Sequence, residues 1–365
     1  MSHYERRLER DLDRLRARIR AMAENVRRQV DNCARAVFSG DRELASLTVI
    51  SDEYINREMR DIDQLCYAFV ARYLPAGGLL RLLASIIRVN IQLERIGDYA
   101  VTIARSSIRL KNPPEGNILR ELQLIVDESK RMLDQALAAF HEQDEAMANA
   151  TIHMHAHLEP TMDGIYEELL TTSGDRETRE TVASFVIFNM LKRISDQAKN
   201  ICEQTVFSAS GHVKAAKVYR VLFVDEDNTF LGPMAESIAR KAFPSGATFS
   251  SAGRIPASAF RSDMLAIMAD RGVDLTSGSP RAIDADPATL ADTNVIVSLQ
   301  GPVTAVVPEI PFHTSAFEWD VSEVPVGLGD AETRDHYEAL YRELATRIHD
   351  LMDILRGEPP EQPSE

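Results

Sequence analysis

Leu93-Glu-Arg-Ile-Gly-Asp-Tyr-Ala-Val-Thr-Ile-Ala104 aligns without a gap with Leu191-Lys-Arg-Ile-Ser-Asp-Gln-Ala-Lys-Asn-Ile-Cys202. Leu, Arg, Ile, Asp, Ala and Ile coincide, six of twelve positions. Each segment lies in the third of three helical stretches that follow in the same order. The chain before residue 212 therefore reads as an internal repeat of about a hundred residues.

Working outward, Leu8, Leu12, Leu15, Ile19, Met22, Val26, Val30, Cys33 and Val37 step by three or four. They form one apolar stripe on a helix of about 50 Å at ~1.5 Å per residue. Ser39-Gly40-Asp41 stops that helix, and Asp41 caps a second over about 41–73. Leu74-Pro75-Ala76-Gly77-Gly78 is a turn before a third helix at about 79–110, and Lys111-Asn-Pro-Pro-Glu-Gly116 is a break. The second repeat predicts helices at about 117–141, 143–171 and 177–209. The expected fold is multi-domain: an all-α N-terminal module of two three-helix bundles in tandem, 1–112 and 113–212, followed by an α/β domain.

The period changes to two in that domain, expected over 218–356. Tyr219–Val224 reads as a buried strand, Ala247–Ser251 and Val295–Leu299 as further strands, and Phe312–Ala316 as a fourth. Helices are expected at Pro233–Phe243, with Pro in its first position, at about 257–272 and at 330–355. Alternating strands and helices imply a parallel wound sheet. Residues 357–365, GEPPEQPSE, read as a disordered tail.

Composition fits two folded domains, with 44% hydrophobic and 27% charged residues in 365. No run of 18 apolar residues occurs and the N-terminus holds no signal-peptide core, so no membrane insertion and a cytoplasmic location are expected. The three cysteines lie far apart with no CxxC, which excludes a disulfide framework or zinc ribbon. Residues 1–217 carry 30 basic and 32 acidic side chains, whereas 218–365 carry 11 and 24. An acidic field disfavours nucleic acid as a partner.

Glu94 and Asp98 are one turn apart in an otherwise apolar helix. The adjacent helix offers Asp52, Asn56 and Glu58, and bundle cores build metal sites from carboxylates on facing helices. Such oxygen donors suit magnesium, manganese or iron. The alternative is a solvated polar stripe. This segment and the six-helix layout resemble the PhoU family over residues 4 to about 210. The resemblance implies a metal-binding helical protein, often a homodimer. It also implies restraint of phosphate signalling through the phosphate ABC transporter ATPase and its sensor histidine kinase, hence negative regulation of the phosphate regulon.

The second repeat departs from the family pattern, since Lys192 stands where Glu is expected while Asp196 is kept. His153 and His157 face one way and fall opposite Asp52 and Asn56 when the middle helices are aligned. They suggest a second, histidine–carboxylate site, His153, His157 and Asp196, with a different metal; across both sites the expected ion is iron, manganese, zinc or magnesium. The alternative is surface histidines.

Over 218–355, YRVLFVDEDNTFLGPMAESIAR and the later Phe317-Glu-Trp-Asp-Val-Ser-Glu323 resemble the low-molecular-weight protein tyrosine phosphatases and thioredoxin-linked arsenate reductases. Asn228, Pro233, Met234, Ala235 and Glu236 match that family's phosphate loop. Asp225 stands at the nucleophile position, Phe230 at the second cysteine, Leu231 at the arginine and Gly232 at the serine; Glu323 stands near the general acid. Attack on phosphorus there needs a thiolate and an arginine clamp, so a catalytically degenerate domain is expected. One carboxylate ~4 Å from a phosphate charge costs about 4 kcal/mol at an effective dielectric of 20. A helix dipole returns at most ~2 kcal/mol, so no phosphate binding is expected. Asp225, Glu226 and Asp227 are expected to bind a cation or to form a solvated cap. A rival is the Asp-x-Asp-x-Thr signature at Asp225–Thr229, which resembles magnesium-dependent aspartyl phosphatases; the last lysine, Lys241, follows Asp225 by only sixteen residues. The expectation is a metal-binding regulator with a pseudophosphatase interaction or dimerisation domain. The aspartyl phosphatase and a metal-free scaffold are the alternatives.

Overall fold

The computed structural model describes residues 2–155, 178–213, 217–276, 278–311, 314–321 and 330–357. The chain divides into two compact units, Met1–Lys214 and Ala215–Glu365.

The first unit is helical. Helix α1, His3–Ser39, opens on a capping box in which Ser2 and Glu5 satisfy each other's backbone N–H, and closes on Gly40 at φ +67°. Its stripe from Leu12 to Val37 is buried as the spacing predicts. Asp41 caps α2, Arg42–Tyr73, by accepting from Leu44 N at 2.9 Å. Helix α3 is Gly77–Ser107, α4 is Gly116–Glu142, α5 is described as Glu145–His155, and α6 is Thr178–Ser210. The part of the expected 143–171 helix beyond 155 lies outside the described residues. The helices share one apolar core, in which Leu93 and Ile96 of α3 pack with Leu191 and Ile194 of α6. The repeated segment thus supplies the same packing positions twice. Directed bonds fix register: Asn90 Nδ2 donates to Met59 O and Asp63 Oδ1 across α2–α3, and Ser129 Oγ donates to Leu191 O across α4–α6. Leu93→Ala removes a fully buried side chain; a loss of about 2–5 kcal/mol is expected in chemical denaturation followed by circular dichroism, and a loss below ~1 kcal/mol contradicts this packing.

The second unit holds a four-stranded, wholly parallel sheet in the order β2-β1-β3-β4. The strands are β1 Tyr219–Asp225, β2 Ala247–Gly253, β3 Val295–Ser298 and β4 Ser315–Glu318. Helices α7 Leu231–Ala242, α8 Ser262–Asp270, α9 Pro287–Leu290 and α10 Asp330–Arg356 surround it. Val221 and Phe223 face Met234, Ile238 and Leu344, while Leu222 and Val224 face Ile296, Val303 and Val307 on the other side. Burial on both faces is why β1 reads as an unbroken apolar run.

Several boundaries differ from expectation, among them α3, which is Gly77–Ser107 against about 79–110, and β2, which runs on to Gly253. Helix α7 starts at Leu231, so Pro233 is its third residue; an N–H there is an orphan in any helix, so Pro costs nothing. The fourth strand is described as Ser315–Glu318, its pairing register set by Val295↔Ser315, while 312 and 313 of the expected 312–316 lie outside the described residues. Helix α8 is shorter than 257–272, as Arg261 is still extended at its N-cap. No helix among the described residues is long and apolar enough to cross a membrane.

Candidate functional site

Glu94 and Asp98 project from α3 beside Asp52 and Asn56 of α2, as the i,i+4 spacing predicts. Asn56 Nδ2 donates to Asp52 Oδ2 at 3.0 Å. Gly97 permits the close approach: a Cβ there would stand 3.2 Å from Ile55 Cδ1, 3.3 Å from Gln29 Oε1 and 3.6 Å from Asp52 Oδ1. Burial and the neighbouring Asp98 hold the Asp52 carboxyl above the ordinary carboxylate range. Burial, then Asp98 and Asp52, do the same to Glu94. The group is thus a half-buried anionic cluster whose members destabilise one another's charge. Glu58 does not join it, being paired with Arg18 at 3.0 Å.

Gln29 of α1 completes the floor. Its Nε2 donates to Ser51 Oγ at 3.1 Å, while its buried Oε1 has no partner. The sequence carried a signal for it, a polar side chain within the stripe between Val26 and Val30. Donor chemistry fits a hard cation: carboxylate and amide oxygens with an orphaned acceptor among them. Among the described residues, however, no three His, Cys, Asp or Glu side chains converge on one point closely enough to hold an ion.

The second repeat is built differently. His155 is buried and its Nε2 lies 2.8 Å from Asp196 Oδ1, whereas His153 is exposed. The imidazole brought to Asp196 is therefore His155 and not His153, because α5 turns its 148–151–155 face inward. His157 lies outside the described residues. Lys192 occupies the position that Glu94 holds in the first repeat, so a cation already stands where a metal would need a carboxylate.

In the α/β unit the sequence singles out Asp225, Asn228 and Leu231, at the C-terminal end of β1 and the start of α7. Open parallel sheets place ligands at that end, beside the strand where the order reverses. Here the space is filled from within. Asp225 is 2% exposed; its Oδ1 accepts from Asn228 N and its Oδ2 from Gly232 N, both at 2.8 Å. Asp225 thus caps α7 from seven residues away, where Phe230 at the N-cap offers no side-chain bond. This corrects the expectation of a solvated cap for Asp225 alone. Glu226 and Asp227 are both exposed, Glu226 pairing with Arg254 and Asp227 accepting from Thr229 N at 3.0 Å. Leu231 is buried in the core, and Arg261 stacks 4.6 Å over the Phe230 ring. Glu323 lies outside the described residues.

Asn228, at φ +53°, accepts from Arg281 N at 2.9 Å. Glu236 accepts from Ser251 Oγ at 2.7 Å and from Arg281. Ser251 and Arg281 are structural partners that no local pattern announces, because they reach this network from other elements.

The model of the PhoU domain matches residues 19–107 and 122–205, one match per repeat. A PhoU homologue described as a phosphate-specific transport system accessory protein, from Pseudomonas putida, is 33% identical over 57% of this chain and 83% of its own length. The crystal structure of PhoU from Pseudomonas aeruginosa superposes with a TM-score of 0.54 at 30% identity, over 56% of this chain and 99% of that one. A low-molecular-weight protein tyrosine phosphatase from T. tengcongensis aligns with 37% of the chain and 99% of its own at a TM-score of 0.31 and 22% identity, a likeness that carries no functional argument. With both repeats matched and most of a relative's length covered, the chain belongs to the PhoU family.

Proposed function

We propose that this protein is an accessory regulator of a phosphate-specific transport system that acts by binding, with its C-terminal unit serving as a non-catalytic interaction domain. The observation that carries this is the duplicated helical module with its family membership. The partners proposed are the transporter ATPase and the sensor histidine kinase of that system, engaged by a homodimer. Affinity capture of the tagged chain from its own cells should retain the ATPase or the kinase. Loss of both, together with an unchanged phosphate-responsive reporter after deletion, would overturn the reading.

A divalent or trivalent cation belongs to the same proposal: Asp52, Glu94 and Asp98, which do not converge on one point by themselves, would be drawn together around it with Gln29 and Asn56 as neutral oxygen donors. Its contribution would be charge neutralisation, which suits iron, manganese or magnesium better than zinc. The raised carboxyls give the sign of a test. In the metal-free protein the native state binds protons more readily than the unfolded chain, so stability falls as pH rises above the ordinary carboxylate range. Tm should be lower at neutral pH than near the ordinary carboxylate pKa of about 4, and manganese or magnesium should recover it at neutral pH. Glu94→Gln with Asp52→Asn should flatten both responses. A pH-independent Tm that ignores metal supports the scaffold alternative. Metal analysis should also give one cluster per chain, because His155 already occupies Asp196 at 2.8 Å and Lys192 stands at the position of Glu94.

The aspartyl-phosphatase reading is weighed against by Asp225, which is buried with both oxygens held by amides. Magnesium-dependent turnover of p-nitrophenyl phosphate that disappears in Asp225→Asn would revive it.

A further inference from the structure

The α/β unit contains 24 acidic and 11 basic side chains beyond residue 217, yet one of its clefts runs against that balance. Between the outward face of α7 and the 272–281 loop lies a cavity of about 750 Å³. Arg240, Lys241 and Arg281 line it, against Glu236 and Asp274 as its acidic members. The sharing of charge is uneven. Glu236, its side chain only 10% exposed, accepts from Arg240 on Oε1 at 2.8 Å and from Arg281 on Oε2. One carboxylate is shared by two guanidiniums, and with three basic against two acidic side chains the lining keeps one positive charge in excess.

Both guanidiniums are held by the protein but not consumed by it. Arg240 is fixed by Nε and Nη2 on the Phe249 carbonyl at 3.1 and 2.9 Å, and its side chain is still 60% exposed. Arg281 uses Nη2 for Glu236 and Ser251, and is 50% exposed. Its Nε and Nη1 have no partner among the described residues. Lys241 is steadied by the Arg271 carbonyl at 2.6 Å. Positioned donors of this kind lose little freedom on meeting an anion, and guanidinium forks match phosphate oxygens in pairs. Pro233 of α7 and Val273 and Leu275 of the loop supply apolar lining beside these cations.

We propose that this cleft binds a small organic phosphate, a monoester whose phosphate sits on Arg240, Arg281 and Lys241 and whose body lies along Pro233, Val273 and Leu275. Size separates this ligand from the bare ion: the cavity falls in the range of roughly 300–1,000 Å³ typical of small-molecule sites, several times what a phosphate ion fills. Charge separates it from a polyanion. A nucleic acid would lay many phosphates along a strongly acidic domain, whereas a monoester needs only the local cations, the rest being screened beyond about 8–10 Å. The site is distinct from the loop closed by Asp225, although Arg281 N donates to Asn228 Oδ1 and so touches both.

The test is calorimetric titration of the full chain with adenosine 5′-monophosphate, ribose 5-phosphate and phenyl phosphate, with adenosine and inorganic phosphate as controls. At least one ester should bind more tightly than either control. Hydrogen exchange should then slow in peptides covering 233–241 and 278–283. Lys241→Gln with Arg281→Lys should weaken binding by about tenfold or more, the worth of one charge-assisted hydrogen bond. Should that pair fail to fold, Lys241→Gln alone and the exchange map of the unaltered chain decide. No ester binding at millimolar concentration overturns the proposal. So does inorganic phosphate binding as tightly as the esters, protection elsewhere, or a folded variant that binds like the parent.

Discussion

Asp225→Ala should destabilise the C-terminal unit by about 2–6 kcal/mol, since it strands two buried amides at ~1–3 kcal/mol each. Asn228 N and Gly232 N both point at this carboxylate, and the N-cap residue Phe230 offers no side-chain cap of its own. The helix dipole adds to the loss, because the negative charge sits at its N-terminus. The single tryptophan, Trp319, packs against Phe223 of β1 with ring centroids 5.9 Å apart, so its fluorescence follows this unit alone in urea. A midpoint shift corresponding to less than ~0.5 kcal/mol, within the range of neutral surface changes, would mean that water replaces the carboxylate freely. Asp225→Asn should fall between the two, since its amide has one acceptor oxygen where two are needed.

Gly253→Ala should be comparably damaging for a different reason. Gly253 pairs with Asp225 across β1–β2, and a Cβ on it would meet Asn228 N and the Asp227 carbonyl carbon at 2.7 Å. Neither is the end of a flexible side chain, so the loop itself must move. Overpacking of this kind costs about 1–3 kcal/mol, and here the displaced loop also loosens the Asp225 bonds. The same tryptophan readout checks it, and an unchanged midpoint would show that the loop yields freely. The two substitutions touch one network, so the double variant should lose less than the sum of the singles. Strict additivity would mean that the loop and the strand end are energetically separate.

The helical half was legible because period and order carry it. A stripe at three- and four-residue steps names its own buried face, and α1 buries that stripe. Glu94, Asp98, Asp52 and Asn56 come together for the same reason, each pair one turn apart on consecutive helices. The identity of the inward histidine was not legible. In Ile152-His-Met-His155 the polar residues alternate, so spacing says which residues share a face but not which face turns to α6. The neighbours of Asp225 were hidden for a related reason. A string of three carboxylates reads as solvated until the fold brings Asn228 N and Gly232 N to bear on the first of them. Gly232 N lies seven residues on, and Gly253 and Arg281 come from separate elements.

The sealed loop also has a physical corollary. An open nest of amides makes a domain's stability rise with the concentration of whatever anion fills it, by mass action. When the anion is a side chain of the same polypeptide, its effective concentration is fixed by the covalent chain. The shape of this loop therefore rests on a counter-charge that dilution cannot remove, a fixed internal support in place of an exchangeable one.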